Sequence, residues 1–306
     1  MKASWLCTKR RYMDKIAFIG SFGNKWDEEG IARSFEKIGI KILRFEENFF
    51  NPDAFEKSVA REKPDIILFA KLKVMVGKER IFTTGIPTVS WSFDLFRGLP
   101  RQTWIKTHAM FKADLVLTPD GGNDVWWRGN GINHKVLRQG LYDEYYYKAE
   151  REKKYDVVFV GSRLSNLIYR QELFIFLGKN YNFNWVGANN TLECRGHQLN
   201  ELYAESKIVI GDSVPSPNYW SNRIYEVLGR GGFLISPKVE GLEKEYEYYK
   251  HFVPYTNFEN LKEKIDYFLV HPEEREKIAQ AGFEQTKKYL LTERCKEFLK
   301  ICECLK

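Results

Sequence analysis

The sequence lacks long apolar runs and has too little cysteine, proline and glycine for several classes of protein. No stretch of about 18 apolar residues occurs, so we expect no membrane-spanning segment. With 22 Gly and 10 Pro among 306 residues, a collagen-like or low-complexity chain is excluded. Residues 1–14 are basic without an apolar core, which argues against a secretory signal. The 5 cysteines are therefore expected to be reduced thiols of a cytoplasmic protein.

Several sequence patterns of catalytic and metal sites are also missing. The chain has no G-x-x-x-x-G-K-[ST] loop, which excludes P-loop chemistry, and no G-x-S-x-G nucleophile elbow. Its 5 His form neither H-x-x-x-H nor H-E-x-x-H, and Cys295, Cys302 and Cys304 have no further ligand nearby in sequence. No D-x-D pattern stands at a suitable strand end. The sequence therefore predicts no metal site.

The charge is unevenly divided along the chain. Residues 1–150 hold 25 Lys and Arg against 19 Asp and Glu, and the whole chain has a formal net charge of +7. A mildly basic first half suits an anionic ligand, although an ordinary basic surface is the alternative. The 22 Phe, 17 Tyr and 8 Trp serve cores first, and Tyr and Trp also stack on sugars and bases.

Short β-branched runs alternate with helical patterns in both halves. The strands of the first half are predicted at 15–20, 39–45, 65–69, 87–91, 113–117 and 134–137, and its clearest helices at 28–38 and 52–62. The second half has predicted strands at 155–160, 183–186, 207–211, 233–236 and 252–255. Its predicted helices are 167–177, 199–206, 222–229 and most of 257–305, with a break expected at Gly282 and a solvated helix face at 243–250.

This alternation predicts an α/β fold of the GT-B-like type: two Rossmann-like, doubly wound parallel-sheet domains that face a central cleft. The charged segment 142–154 lacks apolar periodicity and is interpreted as the linker between them. The first domain is predicted to span residues 1–145, and the second to span 155–306 with a helical C-terminal tail. Ligands of such sheets bind at the carboxyl ends of the strands, so we expect the functional site between the domains.

Two predicted strands end in a glycine that lets the backbone approach a ligand. Gly20 closes the first strand, and Gly161 closes the strand at 155–160. Ser162 and Arg163 follow Gly161 at the start of a predicted helix, where free N–H groups and a guanidinium suit a diphosphate. An ordinary strand-to-helix turn is the alternative at both places.

The most informative stretch of the chain is 215–235. Its two prolines make a rigid loop, and Ser221 or Asn222 is placed to cap the helix that follows. The start of that helix, with Arg223, suits an anion, while Glu226 lies one turn further and is placed to bind both hydroxyls of a ribose. The alternative is a capped amphipathic helix in which Glu226 pairs with Arg223 or Arg230.

Asp94 follows the predicted strand at 87–91. An acid at the carboxyl end of a parallel strand points toward the crevice, where it is placed to orient or deprotonate an acceptor hydroxyl. A loop-capping role is the alternative reading of this residue.

The run YWSNRIYEVLGRGGFLIS at 219–236 resembles the signature of GT-B glycosyltransferases of the spore-maturation (CgeB-like) kind, within the glycosyl transferases group 1 family. The similarity continues in YDVVFVGS at 155–162, LNELYAESKIVIGD at 199–212 and the segment 271–299. VSWSFDLF at 89–96 and ADLVLTPDGG at 113–122 resemble the family more loosely, so the resemblance is strongest in the second half.

The resemblance implies that the second domain holds a nucleotide sugar and the first an acceptor. It implies Glu226 on the donor ribose and Arg223 with the Gly161–Arg163 turn near the diphosphate. Asn218 stands eight residues before Glu226, where related retaining enzymes carry a Glu beside the donor sugar. The expected donor-site residues are Gly20, Gly161, Ser162, Asn218, Tyr219, Ser221, Asn222 and Glu226, and the expected catalytic ones are Asp94, Arg163 and Arg223.

The expected reaction is transfer from a nucleoside diphosphate sugar, with a UDP-sugar as the expected donor, to a hydroxyl acceptor. We expect retention of configuration and neither a metal ion nor another cofactor. Two further functions stay open. A nucleic-acid base as acceptor is favoured by the basic first half and by Lys9–Arg11. A catalytically silent sugar-nucleotide-binding protein is favoured by Asn218 in place of the acid.

Overall fold

The computed structural model describes residues 13–23, 27–70, 78–161, 168–187 and 194–305. Its first half contains a six-stranded parallel sheet in the order β2-β1-β3-β4-β5-β6. The strands are β1 Lys15–Gly20, β2 Lys41–Glu46, β3 Ile66–Phe69, β4 Thr88–Trp91, β5 Leu115–Thr118 and β6 His134–Val136, and the helices are α1 Asp27–Lys37, α2 Pro52–Glu62 and α3 Asp124–Gly129. β3, β4 and β5 are buried along their whole length, as expected for strands covered on both faces.

The second half contains a five-stranded parallel sheet in the order β11-β10-β9-β7-β8. Its strands are β7 Tyr155–Val160, β8 Phe183–Val186, β9 Ser206–Ile210, β10 Leu234–Pro237 and β11 Val253–Tyr255. Its helices are α4 Ile168–Asn180, α5 His197–Ala204, α6 Arg223–Leu228, α7 Phe258–Val270, α8 Pro272–Thr286 and α9 Leu291–Cys302. In both sheets the chain reverses its direction of winding beside the first strand, which is the topological switch point where ligands of such sheets bind.

Local chemistry explains where several helices begin and end. The side chain of Asn51 accepts a hydrogen bond from the backbone N–H of Ala54 at 3.0 Å, and Pro52 occupies the first helical position of α2. The helix ends at Lys63, which adopts the left-handed conformation at φ 49°. α7 begins in the same way, because the side chain of Asn257 accepts a hydrogen bond from the N–H of Asn260 at 2.8 Å.

The predicted fold class of two doubly wound parallel-sheet domains is confirmed. Two local predictions are wrong. Gly282 does not break a helix, because it lies within α8 and packs against the backbone of His251. The segment 243–250 is not a helix, because only Leu242–Lys244 forms a short 3-10 turn and Tyr246 is fully buried, although five of its eight residues are exposed as predicted. The domain boundaries at 145 and 155 stay predictions.

The last helix returns to the first half of the chain. One face of α9 carries Leu291, Cys295, Phe298 and Cys302, and these side chains join the core cluster of the first sheet. Their spacing of four, three and four residues places them on one side of a helix. Cys295 and Cys302 are fully buried thiols outside any disulfide, so they act as small apolar side chains in this core. None of the helices described here is both long and apolar enough to cross a membrane.

Phe298→Ala tests how far α9 stabilises the first half. The Phe298 ring is fully buried and lies 5.2 Å from the ring of Phe35 and 5.6 Å from that of Trp91. Removing a buried phenylalanine ring lowers the free energy of unfolding by about 3–5 kcal/mol, which urea denaturation measures. Phe49→Ala is the matched control, because Phe49 is 86% exposed and its loss is expected to change little. Equal effects of the two substitutions would contradict the packing of α9.

Candidate active site

A cleft of about 660 Å³ lies between the two halves of the chain. Its walls come from α1, from the segment 139–145, from the turn 195–199 that begins α5, and from Glu226 and Arg230. A volume of this size lies within the usual range for small-molecule sites of about 300–1,000 Å³. The cleft is therefore lined both by the linker and by Glu226, from the stretch 215–235 that the sequence analysis identified as most informative.

Glu226 lies in the wall of this cleft and also forms an ion pair. Its Oε2 accepts hydrogen bonds from Arg230 Nη2 at 2.7 Å and from Arg230 Nε at 3.1 Å. The Glu226 side chain is 26% exposed, whereas that of Arg230 is 1% exposed. The pairing of Glu226 with Arg230, one of the two interpretations from the sequence, is confirmed, and its role in a ligand site stays a prediction.

Ser221 and Asn222 precede α6, but their side chains act differently. Asn222 Nδ2 donates to the carbonyl of Gly140 at 3.0 Å, and its Oδ1 accepts from the Gly140 N–H at 3.1 Å. Ser221 Oγ accepts from the backbone N–H of Arg223 at 3.4 Å. Gly140 has φ +80°, and a Cβ there would lie 2.2 Å from the carbonyl oxygen of Tyr289. Asn222 therefore joins α6 to the end of the first half instead of capping the helix with its side chain.

Asn218 and Tyr219 lie in the loop before α6, and the Asn218 backbone contacts the first half. The Asn218 carbonyl oxygen accepts hydrogen bonds from Arg138 Nη2 at 2.7 Å and from the Gly121 N–H at 3.2 Å. Its φ of 52° is in the left-handed region, which Asn tolerates better than most residues. Tyr219 is half-buried, and its N–H donates to the Ser216 carbonyl at 3.4 Å.

Arg223 binds groups at the carboxyl ends of the two strands beside the switch point. Its Nε donates to the Val160 carbonyl at 3.0 Å, and its Nη1 donates to the carbonyl and the carboxylate of Asp212. Arg170 donates to the other oxygen of this carboxylate at 2.6 Å. Burial opposes ionisation of Asp212, but the charges of Arg223 and Arg170 outweigh it and hold the pKa of Asp212 below its ordinary value.

The remaining predicted residues are placed as follows. Gly161 accepts a hydrogen bond from Trp185 Nε1 at 2.7 Å and lies against the Arg223 guanidinium. Gly20 ends β1 in register with Glu46 of β2, and Asp94 lies three residues after β4 and is half-buried. Among the described residues, none of Gly20, Asp94, Gly161 and Arg223 lines the 660 Å³ cleft. Ser162 and Arg163 lie outside the described residues.

A buried polar network behind α6 was not predicted from the sequence. The Arg138 guanidinium stacks 3.6 Å from the ring of Trp220, whose Nε1 donates to the Tyr225 hydroxyl at 2.9 Å. Burial raises the pKa of Tyr225, and its hydroxyl donates to Glu245 Oε2 at 2.5 Å. Arg294 of α9 donates to the same hydroxyl at 3.1 Å. Partners as far apart as residues 225 and 294 leave no local signal in the sequence.

No group of three or more His, Cys, Asp or Glu side chains comes together as a metal site within the described ranges. The sequence prediction of no metal stays a prediction.

Comparison with known proteins identifies one family and many similar folds. Residues 147–300 match a family model described as glycosyl transferase-like. No curated protein sequence gives a significant match. Among solved structures, HepE from Anabaena, in complex with UDP-glucose, has a TM-score of 0.64 at 14% identity and covers 95% of this chain and 100% of its own.

Two other solved structures show the same arrangement. Sucrose-phosphate synthase from Thermosynechococcus elongatus has a TM-score of 0.63 at 12% identity, covering 95% of this chain and 99% of its own. The DNA-modifying enzyme β-glucosyltransferase, studied with and without uridine diphosphoglucose, has a TM-score of 0.63 at 10% identity, covering 95% and 98%. At these identities the likeness establishes the two-domain fold.

Asp212→Asn tests whether the buried ion pairs hold the strand ends together. The substitution removes the charge with which Arg223 and Arg170 pair, and these side chains are only 14% and 13% exposed. Breaking such a pair lowers the free energy of unfolding by about 3–5 kcal/mol at neutral pH, as measured in urea. Because the Asp212 pKa is depressed in the folded state, this stability is present at neutral pH and lost as the pH falls below the ordinary value for an aspartate.

The matched control for Asp212 is Asp156→Asn. Asp156 pairs with Lys207 at 2.7 Å in the same sheet, but the two side chains are 29% and 38% exposed. A pair with this exposure contributes at most about 1 kcal/mol. If both substitutions destabilise the protein equally, the special role of the Asp212 pairs is refuted.

Proposed function

Because the chain belongs to the glycosyl transferase-like family, we propose that it moves a sugar from a nucleoside diphosphate sugar to an acceptor hydroxyl. The family match covers the half that contains α6 and the 195–199 wall of the cleft. Two proteins of similar fold have been solved with UDP-glucose or uridine diphosphoglucose, which favours a UDP-sugar as donor.

The observation that carries this proposal is Glu226 in the wall of the interdomain cleft. Both of its hydrogen bonds from Arg230 go to Oε2, while Oε1 lies 3.5 Å from Asn222 Nδ2. A salt-bridged carboxylate acts as a hydrogen-bond acceptor, which matches the two hydroxyl donors of a ribose. We therefore place the ribose of the donor at Glu226.

The chemistry requires stabilisation of the negative charge that grows on the leaving diphosphate while the sugar becomes oxocarbenium-like. Arg163 is the proposed counter-charge, and one such donor is typically worth about 10²–10³ in kcat. Arg223 is engaged with Asp212 and lies against Gly161. Its proposed part is to hold Gly161 in place, two residues before Arg163 in the sequence. Asp94 is proposed to orient or deprotonate the acceptor hydroxyl.

The finer parts of the proposal concern stereochemistry, metal and location. We propose retention of configuration without a metal ion, by a protein of the cytoplasm. By the resemblance, Asn218 stands where related retaining enzymes carry an acid, so the configuration of the product is the part that most needs a direct test. The anomeric configuration of the product, read by proton NMR, and the rate in the presence of a chelator test the first two parts.

A nucleic-acid acceptor is the second candidate function. The excess of Lys and Arg in residues 1–150 favours it, as does the fold shared with a DNA-modifying β-glucosyltransferase. Phosphate contacts make such binding fall steeply with salt concentration. If duplex DNA does not bind, or binds without salt dependence, the acceptor is a glycan or a small-molecule hydroxyl.

A catalytically silent protein would bind the donor and never hydrolyse it.

Glu226→Gln tests the ribose assignment. The substitution removes the charge that strengthens hydrogen bonds from the donor hydroxyls, and such bonds to a charged group are worth about 1.5–3 kcal/mol each. We expect the affinity for UDP and for UDP-glucose to fall at least about tenfold, measured by calorimetry. Slow donor hydrolysis should fall with it at subsaturating donor.

Glu247→Gln serves as the control for this measurement, because Glu247 is exposed and paired only with Lys250 among the salt bridges of the described chain. Its donor affinity should equal that of the wild type. Wild-type affinity in Glu226→Gln would refute the assignment of the ribose to this carboxylate.

A further inference from the structure

We propose that Arg230 is the positioning residue of the donor site, which sets both the orientation of Glu226 and its separation from the 195–199 wall of the cleft. The inference rests on the proposed function, since it assigns a second residue to the same site. It concerns a side chain that does not need to touch the donor. Arg230 follows α6 by two positions and is almost completely excluded from solvent.

The hydrogen bonds from Arg230 to Glu226 are unequally distributed. Nε and Nη2 both donate to Oε2, at 3.1 and 2.7 Å. This arrangement holds the carboxylate by one oxygen, and within the described ranges Oε1 has only a long hydrogen bond from Asn222 at 3.5 Å. The amide of Asn222 is already bonded in both directions to Gly140. Oε1 is therefore the oxygen that can accept a hydroxyl from a ligand in the cleft.

Nη1 of the same guanidinium binds the 195–199 wall and α5. Nη1 donates to the Gly196 carbonyl at 2.8 Å and also to Oδ1 of Asn200, which is fully buried. Gly196 lies in the 195–199 wall of the cleft, next to the start of α5. One planar group therefore holds two cleft walls that are about 30 residues apart in sequence.

The linker holds Arg230 in this position. The ring of Tyr145 lies 4.5 Å from the guanidinium carbon, a distance at which cation–π attraction operates. Asn200 Nδ2 donates to the carbonyls of Tyr145 at 2.9 Å and of Tyr147 at 2.7 Å. Gly231 has φ +78°, and a Cβ there would lie 2.5 Å from Cγ of Lys148. The chain at 145–148 thus packs around the turn that carries Arg230.

This arrangement fits a positioning role better than a purely stabilising one. Buried ion pairs add little stability compared with apolar side chains of similar size, because both charges lose their hydration. A Glu and an Arg four residues apart also add little on an exposed helix. The planar guanidinium donates four hydrogen bonds in fixed directions. Two of them orient the Glu226 carboxylate in the cleft wall.

A double-mutant cycle tests the proposal, with UDP and UDP-glucose as probes. The four proteins are the wild type, Arg230→Met, Glu226→Gln and the double variant, and the readouts are the UDP affinity and the kinetics of UDP-glucose hydrolysis. We expect Arg230→Met to raise the KM for UDP-glucose at least tenfold and to change kcat less than threefold. Because Arg230 acts through Glu226, Arg230→Met should change the affinity less than twofold when Glu226→Gln is already present.

Two further variants separate positioning from folding. Arg230→Lys keeps the charge without the planar fork, so its KM should lie between those of the wild type and Arg230→Met. Tyr145→Leu leaves the ion pair in place and removes the ring beneath it, and we expect a smaller rise in KM, of about two- to fivefold. The control is Arg275→Met: Arg275 is also a buried arginine of the second half, it donates to the Phe268 carbonyl, and it lies outside the cleft wall. It should lower the melting temperature without changing KM.

The outcomes distinguish the inference from the function on which it rests. A wild type that binds neither UDP nor UDP-glucose, nor a GDP- or dTDP-sugar, overturns both. If the wild type binds UDP but the losses of affinity in Arg230→Met and Glu226→Gln multiply in the double variant, only the role of Arg230 is overturned. An unchanged KM in soluble Arg230→Met also overturns the role of Arg230. If that variant does not fold, an unchanged KM in both Arg230→Lys and Tyr145→Leu overturns this role instead.

Discussion

Helix α6 is too short to be stable by itself, and the proposed donor site depends on the interactions that fix it. A helix of six residues makes few internal hydrogen bonds, and the cost of nucleating it exceeds what they return. Three buried or nearly buried arginines anchor it from different sides: Arg223 at its start, Arg230 just after its end and Arg294 against the Tyr225 hydroxyl. Its orientation is therefore a property of the tertiary structure.

The same anchoring connects α6 to both halves of the chain. Asn222 exchanges two hydrogen bonds with Gly140, and Arg294 reaches the helix from α9, which packs on the core of the first sheet. The orientation of α6 therefore depends on how the two halves pack against each other.

The sequence predicted the sheets well because their signal is local. Apolar β-branched runs bounded by glycine and proline mark strands whatever their partners are, and β1 and α2 have the predicted bounds. Glu226 was singled out by its position on a helix within a recognisable motif, and its role at the donor stays a prediction. Glu245 was misread with its neighbours as solvated, because charged residues indicate a surface unless their partners are known, and its partner Arg294 lies 49 residues away.

Arginine predominates in this buried network for a physical reason. Its guanidinium stays charged when buried and spreads that charge over a plane with five donors, so one side chain satisfies several acceptors at once. A lysine would present a compact, strongly hydrated charge, and an apolar side chain would leave Asp212, Glu226 and Glu245 without an arginine counter-charge. Each carboxylate in turn makes the burial of its arginine tolerable. Such mutual dependence restricts the side chains to one arrangement more than it adds stability, and one arrangement is what a site needs when a single carboxylate oxygen must meet a ligand hydroxyl.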